Sequence, residues 1–143
     1  MKNYLKLLSI VIIPIVFFGC VTDSKQLILD NVQQVEVRSY QTKSYEQSKL
    51  TVSRAVISAL QDLGFIADKV DMDTGTVTAT KLGNNAAMKI TVIVREIGNL
   101  TRVRTNAQFS SINQTPKAVD DPKTYEAFFV ALDRAIFLEK EGL

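Results

Sequence analysis

The chain has 143 residues, enough for one domain with a two-layer core and too few for two. With 17 Lys and Arg against 15 Asp and Glu, its formal charge of +2 points to no class of partner. It has no His and a single Cys, which excludes Ser-His-Asp and Cys-His catalysis, His-ligated metals, thiolate clusters and an intramolecular disulfide.

The first twenty residues read MKNYLKLLSIVIIPIVFFGC. Lys2 and Lys6 form a short positive region, Leu5 to Phe18 is nearly unbroken apolar sequence, and Gly19 precedes Cys20. The layout is that of a bacterial secretory signal, and the apolar run is short for a transmembrane span of ~20 residues. Pro14 within it also suits a segment that is removed better than one that stays helical. A plain signal peptide or an N-terminal anchor with an incidental Cys is the competing reading, and the placement of the sole Cys at the cleavage point weighs against both. Val16-Phe17-Phe18-Gly19-Cys20 resembles the lipobox of bacterial lipoproteins, with Phe17 standing where Leu is usual. The resemblance implies cleavage between Gly19 and Cys20 and acylation of Cys20. Several acyl chains, at ~0.8 kcal/mol per buried methylene, give a durable anchor where one chain does not. In that class Asp after the Cys signals inner-membrane retention, so Val21 implies the outer membrane, facing the periplasm. Loss of residues 1–19 removes Lys2, Lys6 and no acid, leaving a formally neutral chain. The positive charge belongs to export, not to a binding surface.

Residues 20–34 are then the acylated Cys and a polar tether, and 35–143 a single domain. Val35 to Tyr45, rich in Val, Tyr and Thr, predicts a first strand. From Ser48 to Leu63, Val52, Ala55, Val56, Ala59, Leu60 and Leu63 recur on one helical face, and Gly64 follows as a stop. Phe65–Val70 and Thr76–Lys81 predict strands flanking a turn at residues 71–75, and a second turn falls at 82–85. Ala87–Ile97 and Leu100–Phe109 predict long strands joined by Gly98-Asn99, a two-residue hairpin signal.

That hairpin sets a register in which Ile97 faces Leu100 and Val94 faces Val103. Met88, Ile90, Val92, Val94, Val103, Thr105, Ala107 and Phe109 then share one side. Lys89, Thr91, Ile93, Arg95, Arg102, Arg104, Asn106 and Gln108 share the other. A polar loop containing Pro116 follows. Asp121-Pro122 opens a second helix, with Asp as N-cap and Pro in its first turn. The order β-α-β-β-β-β-α predicts an α+β domain: about five antiparallel strands with two amphipathic helices on one face.

QDLGF at Gln61–Phe65, YEAFFVALDRAIFLEKE at Tyr125–Glu141 and Gln41-Thr42-Lys43 resemble segments of a family of small, largely uncharacterised bacterial lipoproteins. Lys43 stands where that family has Arg. In layout alone the domain also resembles the helix-grip modules of BamC, a lipoprotein of the outer-membrane β-barrel assembly machine, a likeness of fold that carries little about function.

Asp68, Asp71 and Asp73 cluster at a turn but lack the twelve-residue loop and closing Glu of an EF-hand, so a solvated turn is the expectation. Ser44, Ser53, Ser110 and Ser111 lack the S-x-x-K spacing that would activate a nucleophile without His, and no phosphate-loop motif is present. No catalysis, cofactor, metal or nucleic acid is expected. The aromatic stripe Tyr125, Phe128, Phe129 and Phe137 reads as core more than as a ligand pocket, with Phe137 off the main stripe.

The sheet's polar side draws more interest. Lys89, Arg95, Arg102 and Arg104 share it, and Arg95 lies opposite Arg102, an unfavourable like-charge pair unless the charge serves an acidic partner. Arg38, Tyr40 and Thr42 would extend the surface if the first strand pairs nearby, whereas an acid such as Glu36 would neutralise it. The sequence therefore points to a lipid-anchored envelope lipoprotein, a non-catalytic interaction module and accessory subunit of an outer-membrane or periplasm-spanning complex. The rival is a periplasmic small-ligand-binding module. A docking module predicts an exposed basic or apolar patch over a filled core, and a ligand binder an apolar pocket of ~300 Å³ or more.

Overall fold

A computed structural model of the protein describes residues 33–142. The expected signal, Gly19, Cys20 and most of the tether lie outside those residues.

Residues 33–40 are helical (α1), although Val35 to Tyr40 fall within the predicted first strand and residues 33 and 34 within the predicted tether. Val37, Tyr40 and Gln41 are the positions here that lose exposure, an i, i+3, i+4 spacing that belongs to a helix. The Gln41 N–H donates to the Val37 carbonyl at 3.2 Å in helical fashion. Docking of this face thus overrides local strand propensity. Only Thr42–Tyr45 remains as strand β1.

Helix α2 (Lys49–Asp62) starts at Ser48, whose Oγ accepts from the Thr51 N–H at 3.3 Å. Strands β2 (Ile66–Asp71), β3 (Thr76–Gly83), β4 (Ala86–Ile97) and β5 (Leu100–Ser111) form an antiparallel meander. A two-residue β6 (Lys117–Ala118) lies within the expected loop, and α3 (Pro122–Glu141) closes the chain with Asp121 as N-cap. The architecture is α+β, and the sheet order is β1-β5-β4-β3-β2 with β6 also on β5. Ile97 pairs with Leu100, Val94 with Val103 and Arg95 with Arg102, the register that Gly98-Asn99 predicts.

One buried cluster joins Val52, Val56 and Leu60 of α2, Phe128 and Leu132 of α3, and Val77, Val92, Val94 and Val103 of the sheet. Burial of each large apolar side chain contributes about 1.5–3 kcal/mol. Gly75, just before β3, has φ +69° and lies against β4, where a Cβ would collide with the Val94 carbonyl oxygen. The Val94 N–H donates to the Gly75 carbonyl at 2.7 Å, so this approach is part of the sheet.

β1 and β6 share one edge of β5 and leave a gap between them. Thr105 N–H donates to the Gln41 carbonyl and Val119 N–H to the Ala107 carbonyl, each at 2.9 Å. The Tyr125 hydroxyl fills what is left: it accepts from Ala107 N–H at 3.2 Å and Gln41 Nε2 at 3.1 Å, and donates to the Val119 carbonyl at 2.5 Å. A hydroxyl with one donor and two acceptor positions is thereby saturated. Tyr40 packs beside it, ring centroids 5.6 Å apart, and donates to the Asp120 carbonyl at 2.9 Å. Arg38 and Tyr40 therefore belong to α1 and do not extend the sheet's polar face, whereas Thr42, paired with Arg104, does.

Candidate functional site

Period-two alternation along β4 and β5 turns one set of side chains to the helices and the other to solvent. Lys89, Arg95, Arg102 and Arg104 all occupy the solvent side and are exposed. They do not form one cluster. Arg102 lies between Ser44 of β1 and Arg95 of β4, and Arg104 lies between Thr42 and Ile93. These three arginines make a compact group near the β4–β5 turn. Lys89, paired with Gln108, is six residues from Arg95, roughly 20 Å along the strand.

Glu46 follows β1 on the same side as Ser44, but among the described residues no acid lies within 4 Å of these arginines. Asp71 pairs with Thr76, two strands from Arg95, or about 10 Å between strand axes. Its Oδ1 accepts from the Thr74 N–H at 3.0 Å, and this hydrogen bond holds its carboxyl below the usual carboxylate range. Asp68 accepts from Thr80 Oγ1 at 2.6 Å. Asp68 and Asp71 thus use their carboxylates in local turn and strand contacts, while the Asp73 backbone carbonyl accepts from Lys49 Nζ at 2.7 Å. Glu36 sits on α1 rather than on a strand and makes no ion pair with the arginines. The one ion pair among the described residues is Lys43–Asp133 at 2.6 Å, which ties β1 to α3 on the opposite side. Both partners are nearly half exposed, so the pair contributes at most ~1 kcal/mol. Tyr45 also donates to Asp133, at 3.0 Å, and burial, followed by the aspartate's charge, pushes its hydroxyl well above the usual range.

A second feature lies at the far end of the sheet. There α2 ends, α3 begins, and β3 and β4 run on to the turn at Asn84-Asn85. Gly83, Ala86 and Ala87 are too small to fill the space past the helix ends, leaving an apolar cleft of about 410 Å³. Phe65, Ile90 and Phe128 form its buried floor, and Leu82 and Phe109 stand exposed at its rim. Lys81 is the single charged side chain lining it. Its Nζ donates to the Leu63 carbonyl at 2.8 Å and lies 5.9 Å from the centroid of the Phe65 ring. Sequence periodicity places Phe128 in the core, which is correct, but core membership does not reveal that its edge borders open space. The signal for the cleft is the run of small residues at the strand ends, legible only once the helix ends are placed beside them. Phe137 is off the core, 59% exposed on α3.

Among the described residues no helix is long and apolar enough to cross a membrane. The chain matches no family model and no curated protein.

Proposed function

We propose that the protein is a lipid-anchored envelope lipoprotein whose domain is a non-catalytic interaction module. It is an accessory subunit of an outer-membrane or periplasm-spanning complex, held to the membrane through Cys20. The domain docks an acidic protein surface on the outer face of β4 and β5, using Arg95, Arg102 and Arg104. One observation carries this reading: three arginines on neighbouring strands face solvent with no acidic side chain within 4 Å among the described residues. Direct opposition of Arg95 and Arg102 disfavours the isolated domain by ~0.2–1 kcal/mol, a cost that an acidic partner would reverse. Buried Val92, Val94 and Val103 back the face on the same two strands and keep it rigid, so little ordering entropy is lost on docking. No catalytic role, cofactor or nucleic acid enters this reading.

The test is site-specific crosslinking in cells from Asn106, which is exposed on the same face. A discrete protein adduct is expected, and Arg95→Glu/Arg102→Glu should reduce it at least tenfold. Absence of any adduct, or one indifferent to the charge reversal, refutes the docking face. Anchorage is tested separately, by radiolabelled palmitate entering the wild-type chain and not Cys20→Ser.

A further inference from the structure

The cleft lies at the end of the sheet away from the arginine group, so what it binds is independent of the docking reading. Its composition is narrow in chemical terms. Floor and walls are apolar but for Thr124, no acid lines it, and its one charge is the Lys81 ammonium. That ammonium is held in place by the Leu63 carbonyl, at the C-terminal end of α2, and by the Phe65 ring. An ammonium has three donors, and Leu63 takes one of Lys81's among the described residues. An anion at the mouth can therefore be bound without breaking what positions the lysine.

Volume narrows the ligand further. At ~30 Å³ per water-sized group, about a dozen methylene-sized groups fill the space. That is one medium-length acyl chain, too little room for the two long chains of a phospholipid. The exposed rim side chains Leu82 and Phe109, 72% and 45% accessible, would be covered by such a chain. From these features we infer that the cleft binds a free medium-chain fatty acid, its tail on Phe65, Ile90 and Phe128 and its carboxylate on Lys81.

The experiment photo-crosslinks the full-length chain, in lipid nanodiscs, with a diazirine analogue of dodecanoate and with the matching alcohol. Mass spectrometry then maps the adducts. The carboxylate probe should label peptides carrying Leu82, Met88 and Phe109, and excess dodecanoate should compete it away. Lys81→Met should lower this labelling at least fivefold and leave alcohol labelling unchanged. Ala127→Trp, which fills the cleft from α3, should abolish labelling by both probes, with circular dichroism reporting that the fold persists. Should that variant unfold, the Lys81→Met comparison still decides, because Lys81 is exposed and outside the core. Adducts scattered over the domain, no adduct, or equal response of both probes to Lys81→Met overturns the assignment. Stronger competition by a lysophospholipid than by dodecanoate overturns it as well.

Discussion

Tyr125→Phe removes one oxygen from a site where three chain segments converge. The ring itself stays packed, since Tyr125 is 1% exposed and Phe has the same shape. What changes is the fate of three polar groups. The Val119 carbonyl, in a half-exposed loop, can turn to water at little cost. The Ala107 N–H and Gln41 Nε2 are buried and lose their acceptor. A buried donor without a partner costs about 1–3 kcal/mol, so with some relaxation the pair amounts to about 2–4 kcal/mol. At about 4 °C per kcal/mol for a domain of this size, the melting temperature should fall by about 8–16 °C. Thermal unfolding of the full chain, followed by far-ultraviolet circular dichroism, measures this. In the double variant Gln41→Leu/Tyr125→Phe one orphaned donor is gone. Its cost should therefore fall short of the summed single costs by about 1 kcal/mol or more. A fall below 2 °C for Tyr125→Phe, or simple additivity in the double variant, refutes the account of Tyr125 as the acceptor that completes β5.

Gly75 and Gly98 both have positive φ, +69° and +62°, but a Cβ on Gly75 meets the Val94 backbone whereas one on Gly98 meets nothing within 4 Å. Gly75→Ala should therefore cost about 3 kcal/mol or more and Gly98→Ala about 1 kcal/mol, compared by urea midpoints. Equal costs would remove the steric argument. In the folded protein the Tyr45 hydroxyl keeps its proton to higher pH than in the unfolded chain, because of burial and the charge of Asp133. Its contribution is fully present below the unfolded value of about 10 and is lost as pH rises from there toward the folded value. Between pH 8 and pH 11 the urea midpoint of wild type should fall more steeply than that of Tyr45→Phe, and parallel slopes would contradict this.

Much of the fold is legible in the order of the residues. Local rules act within a few positions: Ser48 and Asp121 cap their own helices, and Gly98-Asn99 sets a register that carries through all of β4 and β5. The same register places Arg95 opposite Arg102, so that part of the candidate face follows from the hairpin alone. Residues 33–40 show the limit. From Val35 on, their Val and Tyr content predicts a strand, yet Tyr40 and Gln41 lie beside Tyr125, more than eighty positions away in sequence. The separation of Lys89 from the arginines is also within reach of the hairpin register, because six residues of strand have a known length.

Sequence alone determined the class of fold, the hairpin register and the polarity of the two sheet faces. Each of these depends on neighbours in the chain or on a two-fold alternation. Tertiary structure alone decided that residues 33–40 coil, that Tyr125 completes β5, and that a cleft opens beside Lys81. Those outcomes depend on where the ends of α2 and α3 stop relative to β3 and β4, a distance between elements that packing sets and no local pattern encodes.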